Sequence, residues 1–164
     1  IDISRAATGY QLHMEDIDLP AYVEQLQRQI GALCQTKKIG LQMEIEHLPA
    51  VLSADKLLLE RAIMNVVNNA LDYSQQDSSI SISITGGKGN LQILVTDAGP
   101  GFSQEDLLHA EEQFYMADHS RSSNLHFGMG LFITKSIVQQ HGGQLILSNS
   151  EKTGGAQVTM KIPD

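Results

Sequence analysis

The chain has 164 residues, a formal net charge of -8 and a single cysteine. That length suffices for one substantial core and falls short of two ordinary domains, while an acidic balance with scattered Lys and Arg argues against nucleic acid as a partner. With no apolar leader and no run of about eighteen apolar residues, neither a signal peptide nor membrane contact by this piece is expected.

An opening at Ile1 rather than Met predicts a fragment excised from a longer protein. Cys34 excludes an intrachain disulfide, fits a reducing cytoplasmic compartment and reads as a small core residue.

In chain order, Tyr22, Val23, Leu26, Ile30 and Leu33 recur at helical spacing after Asp18 and Pro20, which predicts an amphipathic helix from Leu19 to about Lys37. Leu41, Met43 and Ile45 alternate with Gln42, Glu44 and Glu46, as in a strand with one wet face, and Pro49 closes it. Ser53 and Asp55 offer starts for a helix from about Lys56 to Tyr73. Ser79 to Thr85 and Leu91 to Thr96 read as a hairpin turning through Gly86-Gly87-Lys88-Gly89-Asn90. The polar segment from Ala98 to Phe127 is too long for a simple connector and reads as a functional lid, with one short helix after Ser103. Leu131 to Gln140 predicts a helix stopped at Gly142, and Gln144 to Ser150 with Ala156 to Ile162 a final hairpin turning at Thr153-Gly154-Gly155. The sum is an α+β two-layer sandwich: a mixed, mostly antiparallel sheet with helices on one face.

Three elements carry chemistry. Asn65, Asn68, Asn69 and Asp72 follow i, i+3, i+4, i+7 spacing, so they share one helix face while Ile63, Val66, Val67 and Ala70 can pack on the sheet. Asparagine is a poor helix former, and ordinary solvated faces are built from Glu, Lys, Gln and Arg, so a bound ligand is the best reason for this stripe. Amide oxygens suit Mg²⁺ held jointly with substrate phosphates, which makes Asn65 and Asn69 the metal candidates. Asp97 ends an apolar strand and can accept from an exocyclic amine such as that of adenine, beside Gly99 and Gly101, which permit close approach or a sharp turn. Gly128-Met129-Gly130-Leu131 lies at a helix start, where backbone N–H groups favour phosphate. The Gly-rich run around Lys88 is not a P-loop, since no Ser or Thr follows the lysine.

The ordered motifs Asn65-x-x-x-Asn69-Ala70-x-x-Tyr73, Asp97-x-Gly99-x-Gly101-Phe102, Phe114 to Arg121, and Gly128-Met129-Gly130-Leu131-x-Ile133-x-Lys135 resemble the catalytic, ATP-binding domain of sensor histidine kinases. His141-Gly142-Gly143 and the closing hairpin are similar to that family too, and the likeness runs from about Leu19 to Pro163. It implies the Bergerat-type fold shared with gyrase, Hsp90 and MutL ATPases. It further implies that Asn65 and Asn69 hold Mg²⁺ and the phosphates of ATP, with Asn65 the catalytic candidate. By the same resemblance Asp97 takes the adenine amino group and Tyr73 flanks the nucleotide. Gly99 and Gly101 line the adenine end, Phe114 anchors the lid, Arg121 contacts a phosphate, and Gly128, Met129, Gly130 and Leu131 meet the phosphates.

In that family the γ-phosphate goes to a histidine on a helical dimerisation domain, usually followed by an acidic residue, and a response regulator receives it in turn. The six histidines here are followed by Met, Leu, Ala, Ser, Phe and Gly, so the acceptor is expected upstream of Ile1. Residues 1–18 then read as the end of that domain and a linker, with residues 19–164 the catalytic unit. A monomeric fragment of a homodimeric, membrane-anchored sensor is expected. The related ATPases carry a Glu where Asn65 stands, to activate water, so Asn65 favours transfer over hydrolysis. A non-catalytic nucleotide-sensing module and an anti-sigma-type serine kinase are the rival readings. Asp72 replaces a frequent basic residue, Met116 a frequent Arg and Leu125-His126 a frequent glycine pair. Each removes positive charge or loop freedom near the phosphates and bears on the strength of ATP binding.

Overall fold

In a computed structural model of the chain, the described residues are 11–87, 89–109 and 129–163. They form β1 (Met14–Asp18), α1 (Leu19–Lys37), β2 (Gly40–Glu46), β3 (Val51–Asp55), α2 (Lys56–Tyr73), β4 (Ser79–Gly87), β5 (Asn90–Thr96), α3 (Gln104–His109), α4 (Met129–Gln140), β6 (Gln144–Asn149) and β7 (Ala156–Pro163). The main sheet runs β2-β4-β5-β7-β6, and β1 pairs with β3 in a separate two-stranded ribbon.

Within the main sheet β2 and β4 are parallel and the other pairs antiparallel. Parallel neighbours need a long crossover, which β3 and α2 supply. Register stacks one apolar row across all five strands: Ile45, Ile84, Ile93, Met160 and Leu145 stand side by side. A second row runs through Met43, Ile82, Val95, Val158 and Leu147. Leu59, Ala62, Ile63, Val66, Val67 and Ala70 of α2, with Leu131 and Val138 of α4, are buried in the same core. Each fully buried Leu or Ile contributes about 1.5–3 kcal/mol relative to exposure. The α+β sandwich with a mostly antiparallel sheet is the expected architecture.

Both long helices begin at the expected caps. Asp18 accepts from Ala21 N at 3.3 Å, and Asp55 accepts from Leu58 N at 3.1 Å. Cys34 is buried in the core, as expected. The ribbon was not foreseen. Met14–Asp18, assigned from sequence to the upstream part and linker, pairs with Val51–Asp55 in a five-residue register that closes Ile17 against Leu52. Ser53 is therefore a strand residue and not a helix start. In β1 only Ile17 is buried, so one apolar position had to carry the whole strand pattern. Helix α4 opens at Met129, two residues before the expected Leu131, with Gly130 inside its first turn and facing Asn65 of α2.

Candidate nucleotide site

The asparagine stripe lies where its spacing requires. Asn68 and Asp72 are exposed and Asn65 and Asn69 half-buried, while the opposite side of α2 is closed into the core. Asn65 Nδ2 donates to Gly130 O at 3.4 Å, across the junction of α2 with the first turn of α4. With its nitrogen turned to that carbonyl, the oxygen is the atom Asn65 has to offer a hard cation, and the donor set therefore suits Mg²⁺. Further along the same helix pair Thr134, fully buried, donates Oγ1 to Ala62 O at 3.2 Å.

A third tie closes the far end. Asp55 N donates to His141 Nε2 at 3.0 Å while His141 Nδ1 stands 2.8 Å from Ile137 O, which fixes the imidazole as the Nδ1–H tautomer. Asp55 Oδ2 also accepts from His13 N at 2.9 Å. Burial pushes the Asp55 carboxyl up, but the N–H donors of His13 and Leu58 and the nearby His13 and His141 outweigh it and hold the group below its ordinary range. Ties at Gly130, Thr134 and His141 thus set the register of α4 on α2.

Asp97 follows β5 and is 3 % exposed. Its Oδ1 accepts from Gly99 N and from Ala156 N, both at 2.9 Å, and its own N–H donates to Ala156 O at 2.9 Å. Around it the chain leaves no room for side chains. A Cβ added to Gly99 would lie 2.5 Å from Tyr73 O, and one added to Gly155 would lie 1.9 Å from Asp97 O. Gly101 has φ +83 and faces Gly154 O and Asn149. Asn149 clasps the loop from the other side, accepting from Phe102 N at 2.8 Å and donating to Phe102 O at 2.9 Å. Ser74 Oγ accepts from Ala98 N at 3.1 Å, which ties the end of α2 to the same loop. The Tyr73 phenol is pushed up by burial first, then by Asp72 and Asp106.

The structure therefore brings together Tyr73, Asp97, Gly99 and Gly101 at one end and Asn65 with Gly130 at the other. Asn69 stands one turn along α2 from Asn65, on the same side. Leu131 is 1 % exposed, so its side chain serves packing and only its backbone can face a ligand. Met129 opens α4. Phe114, Arg121, Gly128, Met116, Leu125-His126 and most of the expected lid lie outside the described residues. Sequence reasoning missed Ser74, Asn149, Gly155 and Thr134. Only Gly155 left a signal, and its place in a glycine pair read as turn chemistry.

The family model described as histidine kinase-, DNA gyrase B- and HSP90-like ATPase matches residues 54–164. The sensor histidine kinase SpaK of Bacillus subtilis is 36 % identical over 163 residues, covering 99 % of this chain and 35 % of that protein. The sensor protein RstB of Escherichia coli strain K12 is 32 % identical over 154 residues, 93 % of this chain and 34 % of its own. The chain thus spans about a third of the length of these curated relatives. A nucleotide-free catalytic domain of histidine kinase ThkA superposes with TM-score 0.77 at 19 % identity, covering 93 % of this chain and 98 % of that one, and so shares the fold. Motif order, fold and relatives agree: the chain belongs to the histidine kinase-, DNA gyrase B- and HSP90-like ATPase family.

Proposed function

We propose that this domain binds Mg-ATP between α2 and the start of α4 and presents the γ-phosphate to a histidine on a dimerisation domain N-terminal to it, from which a response regulator is charged. The observation that carries the reading is Asn65 facing Gly130, which sets a neutral oxygen ligand beside the N–H groups of a helix start. Asn65 and Asn69 would hold the ion, which neutralises phosphate charge when bound. The chain's own groups orient the nucleotide: the Asp97 carboxylate takes the adenine amine, and Tyr73, Gly99 and Gly101 form the wall beside it. A neutral acceptor imidazole is itself a nucleophile, so positioning and charge neutralisation are the main requirements.

Two measurements test this. Calorimetry should show saturable ATP binding that strengthens with Mg²⁺; a folded sample that binds no nucleotide under either condition overturns the reading. Incubation with γ-labelled ATP and a separately supplied histidine-bearing dimerisation domain should yield an acid-labile phosphohistidine. Binding without any such transfer would instead support a nucleotide-sensing module.

A further inference from the structure

Asp72 places a negative charge on the face that the proposed function assigns to a polyanion, seven residues from Asn65 and three from Asn69. The structure sets a cation on it: Lys37 Nζ stands 3.0 Å from Asp72 Oδ1. Lys37 belongs to the last turn of α1, a helix end that itself favours positive charge. Its stem has a fixed base. Lys38 is left-handed and its N–H closes the helix, Asp77 N donates to Lys38 O at 2.9 Å, and Gly40 N donates to Ser78 O at 2.7 Å. The end of α1 is therefore tied by backbone to the segment just beyond α2, and the pair is set by the fold rather than by two unrelated long side chains meeting.

An exposed pair of this kind contributes little to stability, and these side chains are 42 % and 62 % exposed. Its effect on a neighbouring polyphosphate differs, because each unit of charge left uncompensated acts on several phosphate charges at once. We propose that Lys37 sets the charge at the rim of the nucleotide site: by neutralising Asp72 it preserves polyphosphate affinity at the end of the face away from Arg61, which stands eleven residues before Asp72 on the same helix. The inference rests on the nucleotide reading of the asparagine face.

The test is a charge cycle on the 164-residue chain, titrated with Mg-ATP and with adenosine at low and at high salt. Lys37→Ala leaves Asp72 bare and should weaken ATP binding about fivefold at low salt. Asp72→Asn leaves Lys37 free for phosphate and should strengthen it by a similar factor. The double variant should return close to wild type, the single effects should shrink at high salt, and adenosine affinity should hardly change. Melting temperatures should stay together, which separates the charge effect from folding. Variants indistinguishable from a wild type that binds ATP would overturn this inference alone, as would an Asp72→Asn that loses affinity. A wild type that binds no ATP would overturn the nucleotide reading itself.

Discussion

The loop around Asp97 and the asparagine face of α2 are built on opposite principles. The loop is locked: Asp97, Ser74 and Asn149 satisfy the N–H groups of Gly99, Ala98, Phe102 and Ala156, and Gly99 and Gly155 stand where backbone from another element leaves no room for a Cβ. The α2 face is open, with Asn68 and Asp72 exposed and one long side-chain bond from Asn65 to Gly130 joining it to α4. A rigid loop suits a flat base read by one carboxylate. An open polar face suits a hydrated metal and phosphates, where water completes the ligand shell and exact fit matters less.

The sharpest way to break the contrast is to overfill the locked end. Gly155→Ala forces a methyl against Asp97 O and should destabilise the domain by about 3 kcal/mol in urea unfolding, because a backbone carbonyl cannot swing aside as a side chain can. Gly143→Ala is the control. Its Cβ would meet Lys161 O at 2.0 Å, away from the site, so it should cost similar stability with no loss of nucleotide affinity beyond that unfolding. Equal loss of affinity in both would mean the loop has no special role.

Asp97→Asn probes chemistry without disturbing the lock, since an amide oxygen can still accept from Gly99 and Ala156. It should cost about 1–3 kcal/mol of ATP affinity and lower selectivity over GTP, with the unfolding midpoint little changed. Unchanged affinity and selectivity would reduce Asp97 to a turn residue. Asn149→Ala removes both bonds to Phe102 and should cost about 1–2 kcal/mol of stability, whereas at the open end Asn65→Ala should leave stability nearly intact and remove the Mg²⁺-dependent part of binding.

The smallest effect lies at the far end of α2. Asp55→Ala loses the cap and the bond from His13, for about 1 kcal/mol. Because the Asp55 carboxyl is held below its ordinary range, its contribution is fully present above the unfolded value of about 3.9 and disappears as pH falls through the folded one. Acid unfolding of Asp55→Asn should accordingly show a shallower loss of stability below about pH 4 than wild type.

Periodicity and caps made α1, α2, the β4–β5 hairpin and β7 legible, because each buries one face and the residues that do so repeat at the element's own period. The ribbon was illegible for the complementary reason: with Ile17 alone buried in β1, the strand exists through pairing with β3 and not through its own pattern. The same division runs through the site. Asn65, Asn69 and Asp97 could be named from sequence, since an asparagine stripe on a helix and a carboxylate closing an apolar strand are local anomalies that local physics does not explain.

By itself, then, the sequence determined which polar groups make up the candidate site and on which faces they stand. Tertiary structure alone decided what surrounds them: Asn149 on Phe102, Gly155 under Asp97, Lys37 on Asp72 and His141 on Asp55. Those partners lie tens of residues apart in the chain, so no periodicity links them. Each such contact is fixed only when the core has closed and has set the distance between elements.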